Sequence, residues 1–348
     1  MEAAPPRVSI IILNWNGWKD TLECLESVYQ NDYPAYDVIV VDNGSENDSV
    51  EKIKSYAAGK ISVESPFFTY SEDNKPINYI EYSHEEAESG GGKEGELYGF
   101  PPEKCLIIIK NEKNYGFAEG NNIAIRYSKK GLNPEYILLL NNDTVVDKKF
   151  LIELVNRANI DESGFFGPKV YYYNYQGKKN VIHSAGAKIN IRLGTFPIFG
   201  YKEVDHGQYD YIKQVDYLEG ACLLVSSKTI DKIGLLDPFF FTYWEETDWC
   251  YRGLKEGYKN TYVPFSRIWH KVKDRNMSKN TMYFITRNLF VFIRKNGNNI
   301  DLFIFLLYFI MFHFWSQLAM ILFYFRDVSL LVPYLKGIKD GLKYLKNI

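Results

Sequence analysis

Tyr136-Ile137-Leu138-Leu139-Leu140 runs directly into Asn141-Asn142-Asp143, and this stretch decides the fold. An apolar run without polar alternation reads as a strand buried on both faces, as in a parallel sheet. A buried strand that ends in a carboxylate sets that carboxylate at the carboxyl edge of the sheet. Open α/β sheets bind ligands at that edge. A hard oxygen donor there suits Mg²⁺ or Mn²⁺ carrying a diphosphate. The plain alternative is an Asn/Asp turn after a strand, so the reading depends on what the chain brings alongside.

Working outward, Val8–Leu13, Val38–Val41 and Leu106–Ile109 are further β-prone runs. Helical spacing separates them. Trp18–Tyr29 carries Leu22, Leu25, Val28 and Tyr29 on one face; Glu46–Tyr56 has a start rich in Ser, Asp and Asn; Glu119–Tyr127 is entered through Gly116 and Gly120. Strand and helix in alternation predict an α/β fold: a mostly parallel central sheet flanked by helices. Residues 65–104, with Ser89-Gly90-Gly91-Gly92 and the acidic Glu85, Glu86 and Glu88, read as a surface insertion. Beyond Asp143 the pattern changes. A helix is expected at Phe150–Asn156, β pieces at Val170–Tyr173, Val181–His183, Ala221–Val225 and Asn260–Val263, and a helix at Thr247–Glu256 closed by Gly257.

Composition narrows the function. The net charge is −2 and charged residues make up 24%, so no basic field points to nucleic acid. Aromatics reach 16%, which suits a large core, a sugar-stacking cleft or a membrane-contacting surface. Cys24, Cys105, Cys222 and Cys250 lie far apart, without zinc or disulfide-framework spacing, so a reduced, cytosol-facing compartment is expected. Val8–Leu13 is too short for a signal-peptide core.

The C-terminal region differs again. Leu302–Phe325 carries no formal charge and is long enough to cross a bilayer at about 20 residues per crossing. His313, Ser316 and Gln317 interrupt it on one face. Arg294 and Lys295 precede it and Arg326 follows, so the charge count sets no orientation. Leu335, Ile338, Leu342 and Leu345 then alternate with Lys336, Lys339, Lys343 and Lys346, the pattern of an amphipathic basic helix on anionic lipid. A helix hairpin buried against the rest of the chain is the alternative.

Several residues carry candidate chemistry. The first two strands end in Asn14-Trp15-Asn16-Gly17 and Asp42-Asn43-Gly44-Ser45. Short amide and carboxylate side chains at one sheet edge can bind a nucleobase and ribose. The first strand is not followed by GxGxxG, nor does the chain hold GxxxxGK[ST], so dinucleotide and P-loop readings lose their support. The loop Asn114-Tyr115-Gly116-Phe117-Ala118-Glu119-Gly120-Asn121-Asn122 offers close backbone approach at its glycines and donors and acceptors at its asparagines. The run Trp244-Glu245-Glu246-Thr247-Asp248-Trp249 places adjacent carboxylates at a helix start, where one can act as a general base; dipole complementation is the structural alternative. His270 follows this helix and a predicted strand and can return to the metal edge.

Taken together, Val8–Gly17 with Val40–Ser45, Asn114–Asn122, Leu139–Thr144 and the run DPFFFTYWEETDWCYR at Asp237–Arg252 resemble family 2 glycosyltransferases of the inverting GT-A fold, in the rhamnosyltransferase-like branch. The likeness covers residues 7 to about 272. It implies a catalytic domain over 1–275, with a nucleotide-binding half at 7–145 and an acceptor half at 146–275, and a helical membrane-associated region over 276–348. Asp143 matches the metal carboxylate of the family's DXD motif, with Asn141 where the first Asp often stands, and His270 matches the histidine that completes the metal and diphosphate site. Asn14, Asn16, Asp42, Asn43, Asn114, Gly116, Asn121 and Asn142 fall along the nucleotide-sugar site. Glu246, with Glu245 beside it, matches the base that is usually Asp; Gly220, Ala221, Trp244 and Asp248 fall on the acceptor side.

The implied activity is inverting sugar transfer, with Mg²⁺ or Mn²⁺, from a nucleotide-diphosphate donor to a hydroxyl of a lipid-linked or glycan acceptor. It would act at the cytoplasmic face of the cell membrane. A non-catalytic nucleotide-sugar-binding scaffold of the same fold is the rival, resting on Asn141 and Glu246 where Asp is usual. A nucleotidyltransferase would need a Gly-rich basic loop where Asn14–Trp18 stands.

Overall fold

The computed structural model describes residues 4–161, 164–272 and 277–346. The chain opens with β1 (Val8–Asn14), α1 (Trp18–Tyr29), β2 (Tyr36–Asp42) and α2 (Ser49–Ala57). Then come β3 (Asn78–Ser83), α3 (His84–Ser89), β4 (Cys105–Lys110), α4 (Gly116–Tyr127) and β5 (Tyr136–Asn141). The middle of the chain supplies β6 (Thr144–Val146), α5 (Phe150–Asp161), β7 (Phe165–Tyr172), β8 (Ile182–Ser184) and β9 (Lys213–Val215). It continues through β10 (Cys222–Ser226), α6 (Ser227–Ile233), α7 (Glu245–Lys255) and β11 (Asn260–His270). Three helices follow: α8 (Lys279–Asn296), α9 (Asn299–Phe325) and α10 (Leu331–Lys346).

The strands form one sheet in the order β3-β4-β2-β1-β5-β10-β7-β11-β6. Pairing is parallel from β3 to β5 and turns antiparallel where β10 meets β5. The parallel half is why its strands read as continuous apolar runs: helices cover both faces. Ile10 and Ile12 pack with Leu22, Leu25 and Val28 of α1, and Ile11 on the opposite face packs with Ile123 and Ile125 of α4. Strand side chains alternate faces, so one run feeds two cores. Burying each such aliphatic side chain contributes about 1.5–3 kcal/mol.

The structure corrects the reading of residues 65–104 as a bare insertion. They include β3, which pairs in parallel with β4 at the edge of the sheet, and α3, whose N-cap Ser83 forms a capping box with Glu86. As an edge strand, β3 buries only Ile80 and Tyr82, so it lacks the long apolar run that marks its neighbours. Strand β11 is also longer than Asn260–Val263. It runs on past a register shift to pair antiparallel with β6, setting His270 opposite Thr144. The boundary expected at 275 lies outside the described residues.

Helix α8 packs against the body of the chain, and α10 packs against α8. A Cβ on Gly337 would lie 2.9 Å from Thr286, and one on Gly341 2.8 Å from Phe290, so only glycine lets the two helices approach this closely. Helix α9 is, among the described residues, the one helix long and apolar enough to cross a membrane by length and composition.

Candidate active site

The carboxyl ends of β2, β1 and β5 lie side by side, with Asn14 opposite Asp42 and Leu13 opposite Asn141. The pairing of β11 with β6 brings a second element to the same edge. His270 Nε2 sits 3.1 Å from Asp143 Oδ1, and Lys271 N–H donates to the Asp143 carbonyl at 3.0 Å. A residue 127 positions later in the chain is thereby set beside the DXD-like turn.

These groups line a cavity of about 810 Å³ together with Asn141, Gly220, Ala221, Glu245 and Glu246. Two further cavities flank the region. One, of about 420 Å³, is lined by Trp15, Asp42, Ser45, Lys113 and Asn114. The other, of about 380 Å³, is lined by Phe196, Tyr217, Tyr243, Trp244 and Glu246. Glu246 therefore faces two of the three cavities.

Two residues that sequence reasoning did not single out complete the polar cluster. Glu219 Oε1 lies 3.1 Å from His270 Nδ1, and its Oε2 lies 2.8 Å from His183 Nδ1. His183, Glu219 and His270 form a group able to hold a metal ion. His183 lies on β8 within an expected β piece, and Glu219 immediately precedes Gly220-Ala221-Cys222; in neither case does spacing in the chain reveal that they meet. Lys271 also lines the cavity and pairs with Asp20 at 2.5 Å and Glu23 at 2.6 Å.

The electrostatics follow from this packing. Burial alone would lower His270, but the Asp143 and Glu219 carboxylates outweigh it and raise it to about 10. Burial works against charge on Asp143 and Glu219 too; the histidines beside them prevail and hold both below the usual carboxylate range. Glu245 and Glu246 go the other way. Both are raised by burial, Glu245 further by the charge on Glu246, and Glu246 by that on Glu219. Glu245 is buried with Oε2 lacking a hydrogen-bond partner, so Glu246 is the better exposed to the cavity of the two.

The donor set fits a hard divalent cation. Two donors on one octahedral cation with bonds of about 2.1 Å lie about 3.0 Å apart, close to the observed Asp143–His270 separation. Asn141 lines the same cavity, and its Oδ1 is buried without a hydrogen-bond partner.

Other expected residues fall into supporting roles. Asn14 is fully buried; its Nδ2 donates to Asp42 Oδ1 at 2.7 Å and its Oδ1 accepts from Thr21 at 2.8 Å. Asp42 also accepts from Ser45 Oγ at 2.6 Å, and its edge still lines the 420 Å³ cavity. Asn16, at φ +56°, accepts from Glu46 N–H and ties the first two strand-end loops together. Asn43 Nδ2 donates to Asn114 Oδ1 and to the Gly116 carbonyl. Gly116 has φ +82°, and a Cβ there would lie 2.6 Å from the Phe241 carbonyl. Asn121 and Asn122 are buried, the first bonded to Phe117 O and the second to Leu236. Asn142 Nδ2 donates to Thr21 Oγ1. Gly220 backs onto Glu246, whose Cγ would be 3.1 Å from an added Cβ. Trp244 donates from Nε1 to Ile285 O and packs edge-on against Phe196, so its indole is fixed at the cavity wall.

Asp248 departs most from expectation. Expected on the acceptor side, it is fully buried away from the three cavities and accepts from Arg252, Lys295 and Asn296 at 2.8–2.9 Å. It joins α7 to α8.

The architecture is an open α/β sheet with a polar cleft at the carboxyl ends of its parallel strands, and comparison with known proteins gives the family. Residues 9–74 match the model described as glycosyl transferase family 2, and residues 98–288 match glycosyltransferase like family 2. The chain belongs to glycosyltransferase family 2. It is 30% identical over 152 residues to the low-salt glycan biosynthesis hexosyltransferase Agl10 of Haloferax volcanii, covering 43% of this chain and 47% of that protein. It is 26% identical over 212 residues to the dTDP-rhamnosyl transferase RfbF of Shigella flexneri, covering 56% and 64%. The chain thus spans about half to two thirds of these relatives. The solved mannosyltransferase PcManGT from Pyrobaculum calidifontis, in complex with GDP-Man and Mn²⁺, matches 99% of this chain and 88% of its own at TM-score 0.54 and 12% identity. That likeness carries the fold, which is GT-A.

Proposed function

We propose that this protein is an inverting, metal-assisted glycosyltransferase. It moves a deoxyhexose or hexose from a nucleotide-diphosphate donor to a hydroxyl of a lipid-linked or glycan acceptor in cell-surface glycan or glycoprotein-glycan synthesis. The observation that carries the reading is the sharing of one cavity by Asp143, His270 and Glu246. Hexosyl and dTDP-rhamnosyl transferases among the relatives support a donor of this class.

Each part has a place. The cavity beside Asp42, Trp15 and Asn114 suits a nucleobase and ribose. Asp143 and His270 would hold Mg²⁺ or Mn²⁺, whose chemistry is to neutralise charge on the departing diphosphate. Glu246 faces both the main cavity and the aromatic one beside Trp244, the arrangement expected of a base between donor and acceptor. It takes the acceptor hydroxyl proton as that oxygen bonds to the anomeric carbon. The bond to the diphosphate breaks on the opposite face, and the linkage inverts. We assign catalysis to residues 1–275 and contact with the cytoplasmic membrane face to 276–348.

Thermal stabilisation by nucleotide diphosphates and nucleotide-sugars, with and without Mn²⁺, tests this reading. A ligand at a hundred times its Kd adds about 2.7 kcal/mol. A Mn²⁺-dependent shift with dTDP, UDP or GDP supports the donor site and names the base. Absence of any shift overturns it. A shift without transfer or donor hydrolysis across an acceptor panel supports the scaffold reading instead.

A further inference from the structure

We infer that α9 does not cross the bilayer but lies along its surface, so that α9 and α10 together seat the enzyme on anionic lipid. This rests on the membrane contact proposed above and specifies its geometry.

One side of α9 is apolar and exposed. Ile300, Phe303, Leu307 and Ile310, at i, i+3, i+7 and i+10, are each more than half exposed. Met311, Phe312, Trp315 and Phe323 are exposed as well, and the helix meets the protein at separate points along its length. Near its start, Phe305 and Phe309 pack on Phe290 of α8 with ring centroids 5.4 and 4.8 Å apart. Near its end, Ile321 is buried with Met282 of α8 and Tyr334 of α10. As α9 advances from 305 to 321, its partners on α8 run back from 290 to 282. The two helices therefore run in opposite senses, about 24 Å of α9 set against about 12 Å of α8 at 1.5 Å per residue, and between these ends Phe314 stacks on Tyr334 of α10 with ring centroids 5.9 Å apart, so α9 lies over the α8–α10 pair.

Helix α8 belongs to the catalytic body. Asn288 Nδ2 donates to the carbonyls of Phe240, Thr242 and Tyr243. Lys295 pairs with Asp237 and Asp248 at 2.7 and 2.8 Å. If α9 crossed the membrane, α8 would lie at the same depth and carry these charges, and the exposed lysines of α10, into hydrocarbon. Charged groups are costly there. With α9 flat, its exposed apolar residues enter the acyl region while the charges of α8 stay with the catalytic body.

Charge complementarity identifies the lipid. On α10, Lys336, Lys339 and Lys343 are exposed beside the exposed apolar residues Val332, Leu335 and Leu342. An apolar face flanked by lysines binds anionic headgroups and adjoining acyl chains. The layer also adjoins the active cavity. Thr281 of α8 lines that cavity, and its Oγ1 lies 3.1 Å from Tyr243 Oη. A lipid-linked acceptor can then reach Glu246 with its tail still in the bilayer.

The full chain, with Cys105→Ser to remove the one free thiol that is not buried, is added to preformed phosphatidylcholine vesicles with and without phosphatidylglycerol. Single cysteines at Asn299→Cys and Asp327→Cys are probed with a membrane-impermeant maleimide. The inference expects binding that needs phosphatidylglycerol, and labelling of both positions from outside. It also expects Phe303→Glu with Leu307→Glu to weaken vesicle binding at least tenfold while nucleotide-dependent stabilisation persists. Binding with one position protected until the vesicles are opened overturns the flat geometry but leaves membrane contact standing. Equal binding to neutral vesicles overturns the anionic-lipid assignment, and unchanged binding by the double variant overturns the role of these exposed apolar residues. No binding by the unsubstituted chain overturns membrane contact itself.

Discussion

Glu219 Oε1 lies 3.1 Å from Nδ1 of His270, on the side of the imidazole away from Asp143. The carboxylate fixes the ring so that Nε2 faces the DXD-like turn, as outer carboxylates do for metal-binding histidines.

Glu219→Ala is therefore expected to weaken Mn²⁺ binding about 10–100-fold, the usual cost of losing such a partner. Calorimetric titration of Mn²⁺ in the absence of donor reads this directly, apart from activity. Unchanged affinity would show that the cation does not depend on Glu219 to orient His270.

Glu246→Gln is expected to reduce transfer by about 10²–10⁴-fold, the contribution of a positioned base. Nucleotide-dependent stabilisation should be retained, because the substitution keeps size and shape. The pH profile provides a second check. Burial, with the Glu219 charge adding to it, pushes Glu246 up to about 7. A raised carboxyl is protonated, and useless as a base, below that value. Transfer should climb as pH rises through about 7 and then level. A profile flat between pH 5 and 8, or full turnover by the Gln variant, would place the base elsewhere.

The parallel half of the sheet was legible because buried strands must be apolar on both faces, and Val8–Leu13, Val38–Val41 and Tyr136–Leu140 are. Strand β3 was not, because an edge strand of six residues buries only part of one face. The meeting of Asp143 with His270 was legible through family likeness. The meeting of either with Glu219 and His183 depends on how β8 and the approach to β10 fold onto β11, and no local periodicity encodes that. Asp248 shows the converse. Its place in an acidic run suggested chemistry, but its helix position turns it inward onto Arg252 and Lys295.

For that reason Asp248→Ala should act on stability. Removing one partner from a buried charge network leaves the others unpaired and costs about 3–5 kcal/mol. The midpoint of urea unfolding should fall accordingly. Conservative Asp248→Asn, assayed well below its own melting temperature, should keep donor binding. Loss of donor binding by a folded Asn variant would return Asp248 to the site.

Asp143→Ala should remove the Mn²⁺-dependent part of donor stabilisation while leaving any metal-independent nucleotide binding. The variant separates the metal role from the base pocket, since Asp42 and Trp15 line a different cavity. A Mn²⁺-dependent shift of undiminished size would assign the cation to the cluster of His183, Glu219 and His270 without Asp143.

Asn141→Asp tests the same site by gain. Asn141 Oδ1 is buried without a partner at the cavity wall, two residues before Asp143. A carboxylate placed there without a cation is an uncompensated charge, and burying it costs more than the roughly 1–3 kcal/mol of a neutral unpaired group. The metal-free variant should melt below the unsubstituted protein. Mn²⁺ should then stabilise it by more than it stabilises the unsubstituted protein, because the added charge is repaid only by the cation. The readout is the difference between two Mn²⁺-induced melting shifts, so a general loss of stability cancels. A variant that melts low and gains no extra shift from Mn²⁺ would show that Asn141 Oδ1 does not point at the cation.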